Sequence, residues 1–315
     1  MAGLSDTLSH RIDALGLLPV QPRSAVRLIE LSKDPDTDLN LYVTLIQADA
    51  ALSSTLLRVT NSACVDSRQS ARTIKQAVNL LGTSTVNAIA IGQSLAGMYS
   101  RYGLEEEDAR AYWEASLCKA VAAQILARVA APERAEEVFA ISLFQDIGVG
   151  LFVATAYTEF AELLRDPRFT VRSQLRYEYA RFGLNHAVVG RRLAHKLELP
   201  RLYADATEFH HDEHGLRSVV SNDDIFRALH TVSFLPHDVR SWKPEDILHF
   251  SFALRDLFPA RWASASAFIH GVEPEFARLA TMLSPHSATS TSLVELMNKA
   301  YHDNVRFAIP LAPHV

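Results

Sequence analysis

Histidine is abundant in this sequence, and its placement is the first feature that could support chemistry. The chain has 13 histidines, and three short strings put an imidazole or a carboxylate beside small or apolar residues. These strings are LFQDIG at 143–148, GLNHAVVG at 183–190 and FHHD at 209–212. Imidazoles and carboxylates that converge from separate helices form the metal sites of helical bundles. The sequence therefore predicts a polar cluster between helices, provided that the fold brings the strings together.

A second histidine pattern points to a different chemistry. The string HHDEH at 210–214 fits the H-x-x-E-H pattern of inverted zincins, in which two histidines on one helix face bind zinc. Gly215 follows immediately and favours the end of a helix there. We therefore do not expect a zinc peptidase.

Other catalytic signatures are missing from the sequence. It contains no G-x-S-x-G nucleophile elbow, no G-x-x-x-x-G-K-[ST] phosphate loop and no G-x-G-x-x-G dinucleotide motif. The two cysteines, Cys64 and Cys118, are too few for a disulfide framework, which favours a reducing compartment. Both are expected to be packing residues rather than nucleophiles.

The charge balance restricts the class of partner. The 315 residues carry 31 basic and 36 acidic side chains, a formal net charge of −5. This acidity favours neither duplex nucleic acid nor an anionic membrane, so a DNA-binding helix-turn-helix over residues 38–61 is not expected. The uncharged stretch 76–100 contains repeated Asn, Gln, Ser and Thr side chains, which oppose membrane insertion. No basic segment followed by an apolar one opens the chain, so we expect a cytoplasmic protein.

Helical periodicity dominates the elements that would position these residues. A long helix is indicated by apolar residues that recur every four positions: Leu117, Val121, Ile125 and Val129. Asp38 and Asp49 are placed to cap two earlier helices, and Pro274 is expected near the first turn of a later one. We find no sustained alternation of apolar and polar residues bounded by turns. The fold is therefore predicted to be all-α.

Two polar junctions divide the chain. The string YSRYGLEEED at 99–108 leads into an acidic helix start, and the segment around 235–243 interrupts two helical patterns. We predict three parts: an N-terminal helical subdomain over 1–103, a middle helical subdomain over 104–235, and C-terminal helices over 236–315 that pack back onto the core.

Several further strings occur in an order that matches a known family. They are LPVQP at 18–22, IQADAAL at 46–52, LLRVTNS at 56–62, AVNLLG at 77–82, YWEAS at 112–116 and EFHHD at 208–212, together with the strings around Asp146 and His186. Over about residues 17–235 the chain resembles the HDOD domain, a non-catalytic relative of the HD and HD-GYP metal phosphohydrolases. The resemblance implies an N-terminal helical bundle packed on an HD-like helical bundle, with additional C-terminal helices.

The resemblance also implies where metal ligands should stand, and most of them are missing. Ala115, Gln145 and Ser233 occupy three of the four first ligand positions, and only Asp146 is kept. An alanine cannot bind a metal, and a glutamine oxygen is a poor substitute for imidazole. We therefore expect no metal, no cofactor and no catalytic residue. Asp146 would pair instead with a helix N-terminus, a backbone N–H or a histidine cation. The vestigial pocket, with possible ligand binding, comprises Gln145, Asp146, His186, His210 and His211.

Signalling without catalysis is the function that the resemblance implies. We expect a bacterial signal-transduction or scaffold protein that acts through contacts with other signalling proteins in trans. One alternative is a nucleotide or cyclic-dinucleotide sensor that uses the vestigial cleft, where the imidazoles and Gln145 offer hydrogen bonds to a phosphate or a base. A second alternative is a weak metal-dependent phosphohydrolase with a rearranged site.

Overall fold

Every regular element in the described part of the chain is a helix, which confirms the predicted all-α fold. The computed structural model describes residues 23–32, 38–61, 71–101, 105–155, 157–166, 168–197, 199–211, 224–258, 262, 264–283 and 292–305. Three sequence features lie outside the described residues: the string at 18–22, Cys64, and residues 212–215 at the end of the HHDEH pattern. Among the described helices, none is both long and apolar enough to cross a membrane.

The helices are numbered here in chain order. They are α1 (Arg23–Ser32), α2 (Leu39–Gln47), α3 (Ala50–Thr60), α4 (Ile74–Arg101), α5 (Glu106–Ala130), α6 (Ala135–Phe144), α7 (Ile147–Thr155), α8 (Tyr157–Arg165), α9 (Val171–Phe182), α10 (His186–Lys196), α11 (Arg201–Phe209), α12 (Asp224–Val232), α13 (Pro244–Leu257), α14 (Ala265–Leu283) and α15 (Leu293–Val305). A short 3-10 helix, Pro132–Arg134, joins α5 to α6.

The N-terminal helices α1, α2 and α3 all pack against α4. Both predicted caps are confirmed, because Asp38 accepts a hydrogen bond from the Asn40 N–H and Asp49 accepts one from the Leu52 N–H. α4 bends at Gly82, whose φ of 76° lies in the left-handed region that favours glycine. The bend lets one long segment pack on α1–α3 and then on α5 and α6.

The middle part is built around α5, which α6, α12 and α14 surround. The helix α5 buries many more residues than those of its predicted apolar face. From Ala111 to Gln124 every side of the helix is buried, whereas Val129 near its end is 43% exposed. Alanines on the remaining faces leave room for the neighbouring helices. A polar residue between positions 111 and 124 of this helix is therefore inside the protein, whichever face carries it.

Additional C-terminal helices are present, as the resemblance implied. α14 contacts α5 along a face that includes the fully buried Phe268, Ile269 and Val272. Pro274 lies inside α14, so its expected place in the first turn was wrong. The helix begins at Ala265, so more than two turns precede Pro274, and the buried residues named above lie in those turns. The hydrogen bond that proline removes is the one to the carbonyl of His270, on the solvent side. The subdomain boundaries stay predictions.

Candidate functional site

A buried carboxylate, Asp146, lies at the centre of the candidate site. It occupies the turn between α6 and α7 and is 7% exposed. The Lys119 ammonium donates a hydrogen bond to Asp146 Oδ2 over 2.6 Å, and Lys119 is 1% exposed. Lys119 lies on α5 one turn after Ala115, so both residues face the same side of that helix. The cationic partner of Asp146 is thus a lysine, which was not among the expected partners: a helix N-terminus, a backbone N–H or a histidine cation.

The electrostatics of this contact favour a charged pair. Burial by itself raises the pKa of the Asp146 carboxyl, but the Lys119 charge and the nearby imidazoles outweigh it and hold that pKa well below its usual range. Burial lowers the pKa of the Lys119 ammonium, and the adjacent Asp146 opposes the fall. Each charge would be costly alone in the interior, and each compensates the other.

Four histidines surround the other oxygen of this carboxylate. The Nε2 atoms of His210 and His237 each lie 3.1 Å from Asp146 Oδ1. His186 Nε2 lies 3.7 Å from the same oxygen, and His211 Nε2 lies 3.0 Å from His186 Nε2. The structure therefore brings Asp146, His186, His210 and His211 together, as their strings suggested. It adds His237, which the sequence analysis had treated as part of a junction.

Hydrogen bonds on the outer side of the rings hold three of the imidazoles in place. His186 Nδ1 lies 2.8 Å from Glu178 Oε2, and His210 Nδ1 lies 2.7 Å from the Thr207 carbonyl oxygen. His237 Nδ1 lies 2.8 Å from Gln174 Oε1. In the same network Gln174 Nε2 donates to Glu178 Oε1 over 2.8 Å. Glu178 and Gln174, both on α9, are therefore positioning residues for the cluster.

The local sequence explains why Glu178 and His186 meet. Gly183 ends α9 in the left-handed conformation, with φ 73°, and Asn185 caps α10 by accepting a hydrogen bond from the Val188 N–H. The chain thus reverses within three residues. His186 then starts α10, where its own N–H donates to Glu178 Oε2 over 2.8 Å.

Two glycines of the predicted strings are required by close approach rather than by backbone conformation. A Cβ at Gly148 would lie 2.1 Å from the His186 carbonyl oxygen, so only glycine lets α7 come this close to α10. A Cβ at Gly190 would lie 2.2 Å from Thr207 Cγ2, which similarly limits the contact of α10 with α11. These close approaches of α7, α10 and α11 bring Asp146, His186 and His210, which lie at or next to the ends of these helices, close together.

Burial lowers the pKa of three of these histidines, His210, His211 and His237. It is the main cause that lowers the pKa of His210, and His186 and Lys119 add repulsion. Burial and the neighbouring rings hold the pKa of His211 well below its usual range. The pKa of His237 falls to about 3, first through burial and then through the Lys119 charge. The neutral form of these three rings is therefore favoured in the folded protein.

The remaining residues named from the sequence do not join the cluster through hydrogen bonds. Gln145 is fully buried, and neither polar atom of its side chain has a hydrogen-bond partner within the described residues. Ser233 Oγ donates to the His230 carbonyl oxygen over 2.8 Å. Ala115 contributes only to the wall of a small space beside Lys119 and Asp146. That space has a volume of about 10 Å³.

Sequence reasoning missed Lys119, His237, Glu178 and Gln174. Lys119 stands one turn after Ala115 on a helix whose apolar pattern was recognised, but periodicity does not show that the lysine's face of the helix is covered. Glu178 stands eight residues before His186, a separation that a tight helix–helix turn can close. For His237 and Gln174 no local pattern points to the cluster, because they meet across 63 positions of chain.

A comparison of the sequence with family profiles identifies the family of the chain. The HDOD domain profile matches residues 18–213. The chain belongs to the HDOD family. No match was found among curated proteins. This HDOD protein keeps the order of strings described above, and its cluster lies within the matched segment except for His237.

Solved structures show the same fold. A Geobacter sulfurreducens HDOD domain protein of unknown function is 18% identical with a TM-score of 0.58, covering 96% of this chain and 94% of that one. A Shewanella amazonensis protein provisionally assigned as a phosphohydrolase is 17% identical with a TM-score of 0.54, covering 93% and 97%. A Marinobacter aquaeolei protein provisionally assigned to signal transduction is 17% identical with a TM-score of 0.59, covering 94% of this chain and 61% of its own.

Proposed function

We propose that this HDOD protein is a non-catalytic signal-transduction or scaffold protein that acts through contacts with other proteins in the bacterial cytoplasm. One observation carries the proposal. The Lys119 ammonium lies 2.6 Å from Asp146 Oδ2, on the side of the carboxylate that Ala115 flanks. A covalently attached cation thus stands beside the one retained residue of the first metal position implied by the family pattern.

The other residues at that position do not fit a metal. Ala115 has no donor atom, and the Ser233 hydroxyl is engaged with the His230 carbonyl. Gln145 offers only a neutral amide oxygen. Metal-dependent hydrolysis needs a bound water of lowered pKa at an open coordination position. These side chains leave no ligand set for such a water.

The small volume of the space beside the Lys119–Asp146 ion pair also argues against catalysis there. Its volume of about 10 Å³ holds about one water molecule. Pockets for small molecules and cofactors usually measure about 300–1,000 Å³. The size therefore gives little support to the alternative in which a nucleotide or cyclic dinucleotide enters this cleft. The provisional assignment of the Marinobacter relative to signal transduction supports the preferred role.

The test combines hydrolysis with partner capture. The full chain is assayed with phosphodiesters, phosphomonoesters and cyclic dinucleotides in the presence of Mn²⁺, Fe²⁺ or Zn²⁺, with Asp146→Asn as the control. We expect equal, background rates for both proteins. Cross-linked capture from a native lysate should return signalling proteins reproducibly. Metal-dependent turnover that Asp146→Asn abolishes would overturn the non-catalytic assignment, and repeated capture without any signalling protein would overturn the role.

A further inference from the structure

A groove beside α13 is much larger than the space next to Lys119, and its volume is about 590 Å³. Pockets for small molecules usually measure about 300–1,000 Å³, so the groove has the size of a small-molecule site. Aromatic and charged side chains of α9, of α13 and of the segment after α12 line it: Arg172, Phe234, His249, Phe252, Arg255 and Asp256. None of these residues belongs to the cluster around Asp146.

Flat rings form one part of this groove. The rings of Phe234 and His249 have their centroids 5.5 Å apart and are inclined by 30° to each other. Phe252 follows His249 by one turn on the same face of α13, and it is 63% exposed. A ring that stacked on Phe252 would remove apolar surface from water, which is favourable. This part of the groove therefore fits a flat ring.

Two guanidinium groups form the charged part of the groove. Arg172 and Arg255 are both exposed, and neither side chain forms an ion pair or a side-chain hydrogen bond with another described residue. Arg172 stands in the first turn of α9, which has no acidic side chain and where the helix dipole disfavours a cation. Arg176, one turn later on α9, adds a second positive charge nearby. A bound anion would compensate these charges and could accept paired hydrogen bonds from a guanidinium.

Asp256 restricts where the anionic group of a ligand can lie. Its carboxylate lines the same groove and would repel a second anion, so the anionic group is expected at the arginines. An ionised carboxylate accepts hydrogen bonds from hydroxyl, amino or ring N–H groups. The groove as a whole thus fits a molecule with a flat ring, one anionic end and at least one hydrogen-bond donor.

We propose that this groove binds a small organic anion in which a flat ring carries a phosphate or a carboxylate group. The ring stacks on Phe252, Arg172 and Arg255 hold the anionic group, and Asp256 accepts hydrogen bonds from donors of the ligand. The space beside Lys119, with a volume of about 10 Å³, is too small for such a molecule. This binding site goes beyond the proposed signalling function and does not depend on it.

Calorimetric titration of the full chain tests the proposal with two probes. Adenosine monophosphate joins a ring to a phosphate, and indoleacetate joins a ring to a carboxylate. Adenosine and indoleacetamide are their neutral counterparts. At least one probe should bind saturably at millimolar concentration or below, and its neutral counterpart should bind at least about 10-fold more weakly, because it makes no charged hydrogen bond to the arginines. The probe that binds identifies the anionic group as a phosphate or a carboxylate.

Variants of the groove locate the bound probe. Arg172→Gln and Arg255→Gln should each weaken binding by at least about 10-fold, and Phe252→Ala by at least about 5-fold. Arg176→Gln and Tyr179→Ala are the matched controls, because both residues are exposed on α9 and neither lines the groove. All five residues are exposed, so we expect every variant to fold, and circular dichroism checks this.

Specific outcomes contradict this inference. No saturable binding of either probe would overturn it, and so would equal binding of a probe and its neutral counterpart. Affinity that is the same in Arg172→Gln, Arg255→Gln and Phe252→Ala as in the wild type would place the probe elsewhere and would also overturn it. If neither probe binds and Phe252→Ala loses a captured protein, the groove is a contact surface for proteins and the inference is wrong.

Discussion

Replacing Lys119 by methionine tests the ion pair on which the proposed function depends. Lys119→Met keeps an unbranched side chain of similar volume and removes the charge. Asp146 Oδ2, which accepted the hydrogen bond at 2.6 Å, then faces an apolar group in a site that is 7% exposed. The measurement is made with a chelator present, so that no metal ion can compensate the carboxylate.

The expected loss of stability is large because a buried charge is left without its partner. Breaking a buried pair by removing one member typically costs about 3–5 kcal/mol. An exposed pair provides the control: Arg201 is 85% exposed and lies 3.1 Å from Asp205 one turn along α11. Arg201→Met should cost no more than about 1 kcal/mol.

Urea unfolding followed by circular dichroism gives both free energies. The double variant Lys119→Met/Asp146→Asn should be more stable than Lys119→Met by at least about 1 kcal/mol, because it no longer buries an uncompensated charge. A loss below about 1 kcal/mol in Lys119→Met, equal to that of Arg201→Met, would refute the reasoning. So would a double variant that is no more stable than Lys119→Met.

Three further predictions concern pH, packing and ligands. Burial raises the pKa of Asp246 from 3.8 to about 7, so the free energy of unfolding should fall as the pH rises from about 4 to 7. Between pH 5 and pH 8 this fall should amount to about 3 kcal/mol, and Asp246→Asn should remove it in urea titrations at those two pH values. Gly148→Ala should lower the free energy of unfolding by more than about 2 kcal/mol, because the new Cβ would overlap the His186 carbonyl. Gly271→Ala is the control: its Cβ would meet open space, so the same assay should show a free energy of unfolding about 0.5–1 kcal/mol higher. Calorimetric titration with nucleotides and cyclic dinucleotides at millimolar concentration should show no heat of binding to the cleft beside Lys119; saturable heat that Lys119→Met abolishes would contradict this.

Local rules in the sequence account for much of the fold and part of the site. Asp38 and Asp49 are capping residues because a short side-chain oxygen can reach nearby N–H groups, which needs no tertiary information. The strings around Asp146, His186 and His210 place each residue at a helix end, so their convergence could be anticipated. That they do converge depends on Gly148 and Gly190, whose necessity is visible only once the helices are packed.

The rest of the site depends on contacts that no local pattern encodes. Lys119 looks like a surface residue of an amphipathic helix until α6, α12 and α14 enclose α5 on every side. His237 lies 91 residues from Asp146 along the chain, in a segment that the sequence marks only as a break between helices. Both omissions have one cause: periodicity reports which face of a helix is apolar, and it does not report how many neighbours will cover the other faces.

The two oxygens of the Asp146 carboxylate have different surroundings. Oδ2 is occupied by Lys119, whose ammonium is attached to α5 and cannot exchange with a free ion. Restoring imidazoles at positions 115 and 145 would therefore not restore the first metal position while the lysine remains, because two cations would compete for one oxygen. Oδ1 lies 3.1 Å from the Nε2 atoms of His210 and His237, and contacts of their Nδ1 atoms with the Thr207 carbonyl oxygen and with Gln174 Oε1 hold those rings in place. The buried carboxylate is therefore compensated by a cation attached to the chain, and its surroundings are fixed by α5, the end of α11 and the segment before α13, which is why no single stretch of sequence reveals them.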